Sequence, residues 1–122
     1  MTSCLGTTTE APETRVDAIS VAEAARLHGR PNVVFVDPRP AIIISTTTGI
    51  IPGAHNIGVA DIQAGNLPPE FSDADVHIVT SCQAGPMGKK AAQAFVERGF
   101  TLVNFVDGGT QAWVDAGYTT DR

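Results

Sequence analysis

The chain passes from strand to helix within residues 76–92, which read Val76-His77-Ile78-Val79-Thr80-Ser81-Cys82-Gln83-Ala84-Gly85-Pro86-Met87-Gly88-Lys89-Lys90-Ala91-Ala92. The segment opens with an apolar, β-branched run of strand length. It breaks at a short loop that contains glycine and proline, and continues as an alanine-rich segment with helical spacing. Strand, loop and helix in this order are typical of α/β proteins with a mainly parallel sheet.

Cys82 lies at the carboxyl end of this strand, where open α/β sheets bind their ligands. Gly85 and Gly88 allow a tight backbone curl, and Pro86 suits the first turn of a helix. Such a loop directs backbone amides and the positive end of a helix dipole at the sulfur, and both favour the thiolate. The alternative is a buried structural cysteine. The Gly-Pro-x-Gly turn favours the nucleophile.

Four stretches, taken in order, resemble those of one family. Residues 82–87 resemble the six-residue active-site loop of rhodanese-like sulfurtransferases, which opens with the persulfide-forming cysteine. Residues 49–57, Gly-Ile-Ile-Pro-Gly-Ala-His-Asn-Ile, resemble the family's Gly-His-Ile-Pro-Gly-Ala-x-Asn-Ile segment. Residues 36–39 resemble its Val-Asp-x-Arg, and residues 106–113 with Gly117 resemble its C-terminal signature. The resemblance covers the chain from about residue 16 to about residue 118.

The resemblance implies an α/β fold, the rhodanese-like three-layer sandwich, with a mainly parallel sheet of about five strands and helices on both faces. It also implies that Cys82 takes a sulfane sulfur from thiosulfate or another persulfide donor. The acceptor would be cyanide or a thiol, which includes a protein thiol, and no cofactor is needed. The substrate-binding residues expected from the loop are Gln83, Ala84, Gly85, Met87 and Gly88.

Asp37 and Arg39 are candidate supporting residues. They could take part in catalysis, but the resemblance favours a role in fixing the backbone near the site. Two further features separate this chain from the family pattern. The loop contains no Lys or Arg and ends at Met87, which weakens the binding expected for a sulfonate, and Ile50 stands where the family often has histidine.

Composition limits the alternatives. With 122 residues the chain forms one domain, and we expect residues 1–14 to be a flexible leader before the domain at 15–122. The net charge of −5 argues against binding to nucleic acid, and no apolar run is long enough for a membrane span. Two cysteines, at 4 and 82, provide no disulfide framework, and the histidines lack metal-ligand spacing. These features favour a reducing, cytoplasmic setting and no metal.

Local patterns predict the remaining elements. Arg15–Ile19 should be an edge strand, followed by a helix that Ser20 caps with Glu23 in a capping box. Val33–Val36 is a continuous apolar run typical of a strand covered on both faces. The sequence also predicts a helix from Gly88 to Arg98, a strand at Leu102–Val106 and a core position for Trp113.

One segment and two rival functions stay open. Ile42–Ile44 could be an extra β segment packed on the core or an apolar flap beside the Cys82 pocket, and the core interpretation is favoured. A phosphatase would need arginine six positions after the cysteine to bind an oxyanion, but Gly88 occupies that position. The alternative function without catalysis is that of a sulfur-carrier or protein-binding module with little thiosulfate turnover.

Overall fold

A computed structural model describes residues 16–83 and 86–122. Within these residues, five strands pair in parallel as one sheet with the order β1–β5–β4–β2–β3. The strands are β1 (Asp17–Ile19), β2 (Val33–Asp37), β3 (His55–Asn56), β4 (His77–Thr80) and β5 (Leu102–Val106). The helices are α1 (Val21–Leu27), α2 (Ala41–Thr46), α3 (Val59–Ala64), α4 (Pro86–Glu97) and α5 (Gly109–Asp115), with a 3₁₀ turn at Pro69–Ser72.

Each face of the sheet has its own apolar core. On one face, α3 and α4 pack over a cluster that includes Ile78 and Phe95. On the other face, α1 and α5 pack over a cluster that includes Val79 and Trp113. Ile78 and Val79 are consecutive in β4 and both fully buried, as expected for a strand covered on both sides. The predicted three-layer α/β fold and the core position of Trp113 are confirmed.

The local predictions hold with small shifts in boundary. Ser20 caps α1, because its Oγ accepts a hydrogen bond from the N–H of Glu23 at 3.1 Å. β1 begins at Asp17 and pairs only with β5, so it is an edge strand as predicted. α4 begins at Pro86 rather than at Gly88, because proline is well suited to the first helical position.

The isoleucine segment is a helix, so its interpretation as an extra β segment is wrong. Ile44 is buried, but Ile42 and Ile43 are 67% and 42% exposed. Hydroxyl groups bond back to carbonyls of this short helix: Thr46 donates to the Ile42 carbonyl at 2.8 Å, and Thr47 donates to the Ile43 carbonyl. The local β preference of isoleucine therefore gives way to the crossover that joins the parallel strands β2 and β3.

An open cavity of about 480 Å³ lies along α2. Ile42 and Ile44 line it together with Ile50, and Asp121 and Arg122 close its other side. These residues hold one another in place, because Ile50 and Asp121 exchange two backbone hydrogen bonds and Arg122 donates to the Ser45 carbonyl. Ile42 and Ile44 thus face a cavity that, among residues 16–83 and 86–122, is lined by no residue of the Cys82 loop.

Candidate active site

Cys82 follows the central strand of the sheet. Its strand, β4, lies between β2 and β5, and Cys82 occupies the short connection from Thr80 to the start of α4. The residue is only 3% exposed, whereas Gln83, Pro86 and Met87 are exposed. The predicted site residues Ala84 and Gly85 lie outside the described part of the chain. Of the others, Gln83, Met87 and Gly88 lie with Cys82 at this edge of the sheet.

The first turn of α4 packs directly against the backbone of Cys82. A Cβ atom placed on Gly88 would lie 3.3 Å from the Cys82 nitrogen and 3.5 Å from Cα of Ser81. Thr80 fixes this contact, because its buried hydroxyl donates to the Gly88 carbonyl at 2.6 Å. The contact brings the positive end of the α4 dipole next to Cys82.

The start of α5 holds the other side of the same loop. The N–H of Thr110 donates to the Cys82 carbonyl at 2.6 Å, and the N–H of Gln111 donates to the Gln83 carbonyl at 3.0 Å. The approach depends on Gly109, which has φ +66°; a Cβ atom at this position would lie 2.6 Å from the Cys82 oxygen, too close for any residue but glycine. Since the Cys82–Gln83 peptide is trans, its N–H points away from α5. Two helices therefore set the direction of this amide.

Ser81 connects Cys82 to the body of the sheet. Its N–H donates to the Val36 carbonyl in β2 at 2.9 Å, and its side-chain oxygen lies 2.7 Å from the hydroxyl of Thr110. Ser81 and Thr110 are both buried. Ser81, Gly109 and Thr110 were not among the site residues predicted from the sequence. The available signal was the Gly-Gly pair of the C-terminal motif, which shows a turn but not its contact.

Asp37 and Arg39 form a buried, bidentate ion pair. Nε of Arg39 lies 2.9 Å from Oδ1 of Asp37, and Nη2 lies 2.6 Å from Oδ2. The backbone N–H of Arg39 adds a third bond to Oδ1 at 3.0 Å. Both side chains are almost fully buried, so the charges neutralise each other inside the protein.

The same guanidinium fixes the turn that follows α2. It donates to the hydroxyls of Thr47 and Thr48 at 3.2 and 3.1 Å, and to the Gly49 carbonyl at 3.1 Å. From β3, the side-chain amide of Asn56 donates to the carbonyls of Asp37 and Arg39. These bonds join two of the four motifs, residues 36–39 and 49–57, at the carboxyl edge of β2. Arg39 is occupied by backbone and hydroxyl partners in this arrangement.

The three histidines lie in different environments. Nε2 of His28 lies 2.7 Å from the Pro52 carbonyl, and Nε2 of His77 lies 2.7 Å from the side-chain oxygen of Asn104. His55 lies 3.9 Å from the Glu70 carboxylate. Among residues 16–83 and 86–122, no three His, Cys, Asp or Glu side chains form a group that could hold a metal ion. Over the same residues, no helix has both the length and the apolar character of a membrane span.

Comparison with known proteins agrees with this geometry. A family model described as the rhodanese-like domain matches residues 20–116. The thiosulfate sulfurtransferase GlpE of Pseudoalteromonas translucida is 35% identical over 101 residues, which cover 83% of this chain and 90% of that protein.

Two solved structures share the fold. A Rhodopseudomonas palustris protein named as a possible tyrosine phosphatase is 29% identical, with a TM-score of 0.77 over 87% of this chain and 85% of that one. The human single-domain sulfurtransferase is 22% identical, with a TM-score of 0.68 over 83% of this chain and 97% of that one. The second likeness, at this identity, is one of fold.

Proposed function

The chain belongs to the rhodanese-like domain family, and we propose that it is a sulfurtransferase that carries sulfane sulfur as a persulfide on Cys82. The observation that supports this proposal most is that two helices contact the backbone of Cys82 from opposite sides. The residue ends the central strand, and its backbone is held between Gly88 of α4 and Thr110 of α5. A cysteine with only a packing role needs no such control of its peptide plane.

The proposed reaction has two steps, and both are nucleophilic displacements. The Cys82 thiolate attacks the outer sulfur of thiosulfate, forming a new S–S bond. The bond between the two thiosulfate sulfurs breaks, and sulfite leaves with its electron pair. Cyanide or a thiolate then attacks the outer sulfur of the persulfide, and the Cys82 thiolate leaves. Atoms and electrons balance without an added oxidant or reductant.

The chain stabilises the anionic sulfur through its backbone. The N–H of Gln83 points away from α5, and the positive end of the α4 dipole lies next to Cys82. We assign the remaining donors to the amides of the loop, in the manner of an oxyanion hole. This assignment comprises the predicted substrate-binding residues Gln83, Ala84, Gly85, Met87 and Gly88. Pro86 has no N–H and leaves one gap.

The charge of the loop bears on the choice of donor. No Lys or Arg lies between Cys82 and Gly88, and the exposed cations that follow are Lys89 and Lys90 in α4. A doubly charged donor such as thiosulfate therefore depends on amides and on two solvated lysines. A persulfide donor carries less charge and depends less on nearby cations, and we include it beside thiosulfate as a substrate class.

The proposed reaction also bears on the cellular location of the protein and on the extent of its catalytic domain. The reaction requires a reduced Cys82, which a cytoplasmic location would maintain. We assign the catalytic domain to residues 15–122, which include the residues 20–116 that the family model matches. The proposed leader at 1–14, with Cys4, lies outside the described residues and has no role in the two steps.

One observation favours a second candidate, a sulfur-carrier or protein-binding module. Met87, Ile42 and Ile43 are all large apolar residues that are more than 40% exposed. Met87 follows Cys82 at the start of α4, and an exposed apolar side chain there would suit a protein thiol as acceptor. The phosphatase alternative has less support, because Gly88 packs against Cys82 at the position where an oxyanion-binding arginine would stand.

Steady-state assays separate the three functions. With thiosulfate and cyanide, we expect thiocyanate formation by the parent protein and by Cys4→Ser, and none by Cys82→Ser. A folded protein that forms no thiocyanate but accepts sulfur from a protein persulfide would support the carrier function. Hydrolysis of p-nitrophenyl phosphate that requires Cys82 would contradict the sulfurtransferase proposal and support a phosphatase.

A further inference from the structure

Two buried hydroxyl groups lie directly behind the proposed nucleophile. The hydroxyl of Thr110 and the side-chain oxygen of Ser81 lie 2.7 Å apart, although the residues are 29 positions apart in sequence. Thr110 is fully buried, and Ser81 is 3% exposed. Buried hydroxyl groups in proteins are generally hydrogen-bonded, and here the two groups share one hydrogen bond.

The pair acts on Cys82 from two sides. Thr110 binds the Cys82 carbonyl through its own N–H at 2.6 Å, and Ser81 is the residue that precedes Cys82. The Ser81 oxygen also lies 3.5 Å from the same carbonyl, which is too long for a strong hydrogen bond. The short contact with Thr110 therefore holds the Ser81 side chain at a distance where it bonds only weakly to the Cys82 carbonyl. We expect loss of the Thr110 hydroxyl to release Ser81 toward that carbonyl, where it would compete with the N–H of Thr110.

We propose that Thr110 is a positioning residue for Cys82, acting through its hydroxyl on Ser81 and through its N–H on the Cys82 carbonyl. This role rests on the proposed sulfurtransferase function. Thr110 fixes the plane of the Cys82–Gln83 peptide, and thereby the direction in which the Gln83 N–H is presented to the sulfur. Ser81 is its partner in this role, and the pair acts as one unit.

The test uses Thr110→Val, which removes the hydroxyl and retains the shape of the side chain. All variants are made in full-length protein that contains Cys4→Ser, so that Cys82 is the remaining thiol. We expect kcat for thiosulfate and cyanide to fall about tenfold, less than the ~100-fold that a misplacement of 1 Å costs. KM for thiosulfate should change less than threefold, because the hydroxyl pair does not contact the donor. Thr110→Ser, which restores the hydroxyl, should recover most of the rate.

Alkylation of Cys82 by iodoacetamide provides a readout that needs no sulfur donor. At pH 7, Thr110→Val should be alkylated more slowly than its parent, because the misdirected amide favours the thiolate less. At about pH 10, where ordinary thiols are ionised, the two rates should converge. A purely structural role predicts the opposite, since local opening would expose the buried sulfur and raise the rate at every pH.

Two further variants complete the test. Ser81→Ala combined with Thr110→Val should cost no more in kcat than Thr110→Val alone, as expected for one unit. Thr120→Val is the matched control, because it removes a hydroxyl that donates to the Thr48 carbonyl at 2.7 Å, and it should leave kcat unchanged. The proposal is overturned if Thr110→Val keeps the parent kcat, if Thr110→Ser is as slow as Thr110→Val, or if alkylation at pH 7 is not slowed. If the parent forms no persulfide, the sulfurtransferase function fails, and the alkylation rates still decide the positioning role.

Discussion

Replacing Gly109 by alanine tests whether close approach of α5 fixes the Cys82 loop. Gly109 has φ +66°, a conformation that costs an L-residue about 1–2 kcal/mol. The added Cβ would also lie 2.6 Å from the Cys82 oxygen and 2.8 Å from the carbonyl carbon and oxygen of Gln83. These are backbone atoms, so they can give way only if the loop itself moves.

The two terms can be separated with a glycine at the other end of the same helix. Gly117 has φ +96°, but a Cβ there would meet nothing within 4 Å. Gly117→Ala should therefore lower the free energy of unfolding by the conformational term alone, about 1–2 kcal/mol. Gly109→Ala should lower it by a further amount of about 1–3 kcal/mol, the usual cost of overpacking.

The assays are urea unfolding of both variants and sulfur transfer under conditions where each is folded. We expect Gly117→Ala to keep the parent kcat and Gly109→Ala to lose at least about tenfold, because the reacting sulfur is displaced. Equal losses of stability in the two variants would refute the packing argument. A parent-like kcat in folded Gly109→Ala would refute the claim that α5 positions the loop.

Three other predictions address charge and packing. Arg39→Met leaves the buried Asp37 carboxylate without its partner, so urea unfolding should show a loss of about 3–5 kcal/mol; a loss below about 1 kcal/mol would contradict the role of the ion pair. Ile44→Ala should cost about 2 kcal/mol or more, whereas Ile42→Ala, at an exposed position, should stay within about 0.5 kcal/mol, and similar costs would contradict the helical assignment. Met87→Lys adds a cation at the loop and should lower KM for thiosulfate by up to about fivefold at low salt, since exposed charge pairs contribute up to about 1 kcal/mol. That gain should vanish in about 0.5 M salt, and a gain that persists there would show that it is not electrostatic.

The elements that position Cys82 locally could be predicted from the sequence. The strand and the turn before α4 are short-range patterns, and Cys82 stands between them. The helix begins at Pro86, less than one turn before the predicted start at Gly88. The resemblance carried by the four motifs implied the correct sheet and layers. The long connections between strands also favoured parallel pairing, because parallel strands need a crossover.

The contacts that complete the candidate site could not be predicted in this way. Thr110 contacts Ser81 and Cys82 because β5 pairs with β4 in the sheet. The local sequence around Gly109 does not indicate which residues it contacts. The Thr47 and Thr48 hydroxyls bind Arg39, although in sequence they form part of an undistinguished hydroxyl run. The Ser81 and Thr110 hydroxyls are 29 positions apart, and Arg39 lies eight and nine positions from its threonine partners, so none of these contacts falls within one local pattern.

The isoleucines of α2 show tertiary structure prevailing over local preference. β-Branched residues favour strands, yet Ile42 and Ile43 are on the exposed side of a short helix. The residues after the helix then meet the C-terminal segment, where Thr120 donates to the Thr48 carbonyl. The connection between β2 and β3 is thus shaped by partners at the far end of the chain.

The most direct test of Cys82 as the sulfur carrier is the intact mass of the protein after incubation with thiosulfate. We expect a gain of one sulfur atom in the parent and in Cys4→Ser, its absence in Cys82→Ser, and its removal by cyanide with release of thiocyanate. A folded parent protein that gains no sulfur from thiosulfate or from a persulfide donor, or a gain that survives in Cys82→Ser, would contradict the assignment of Cys82 as the sulfur carrier.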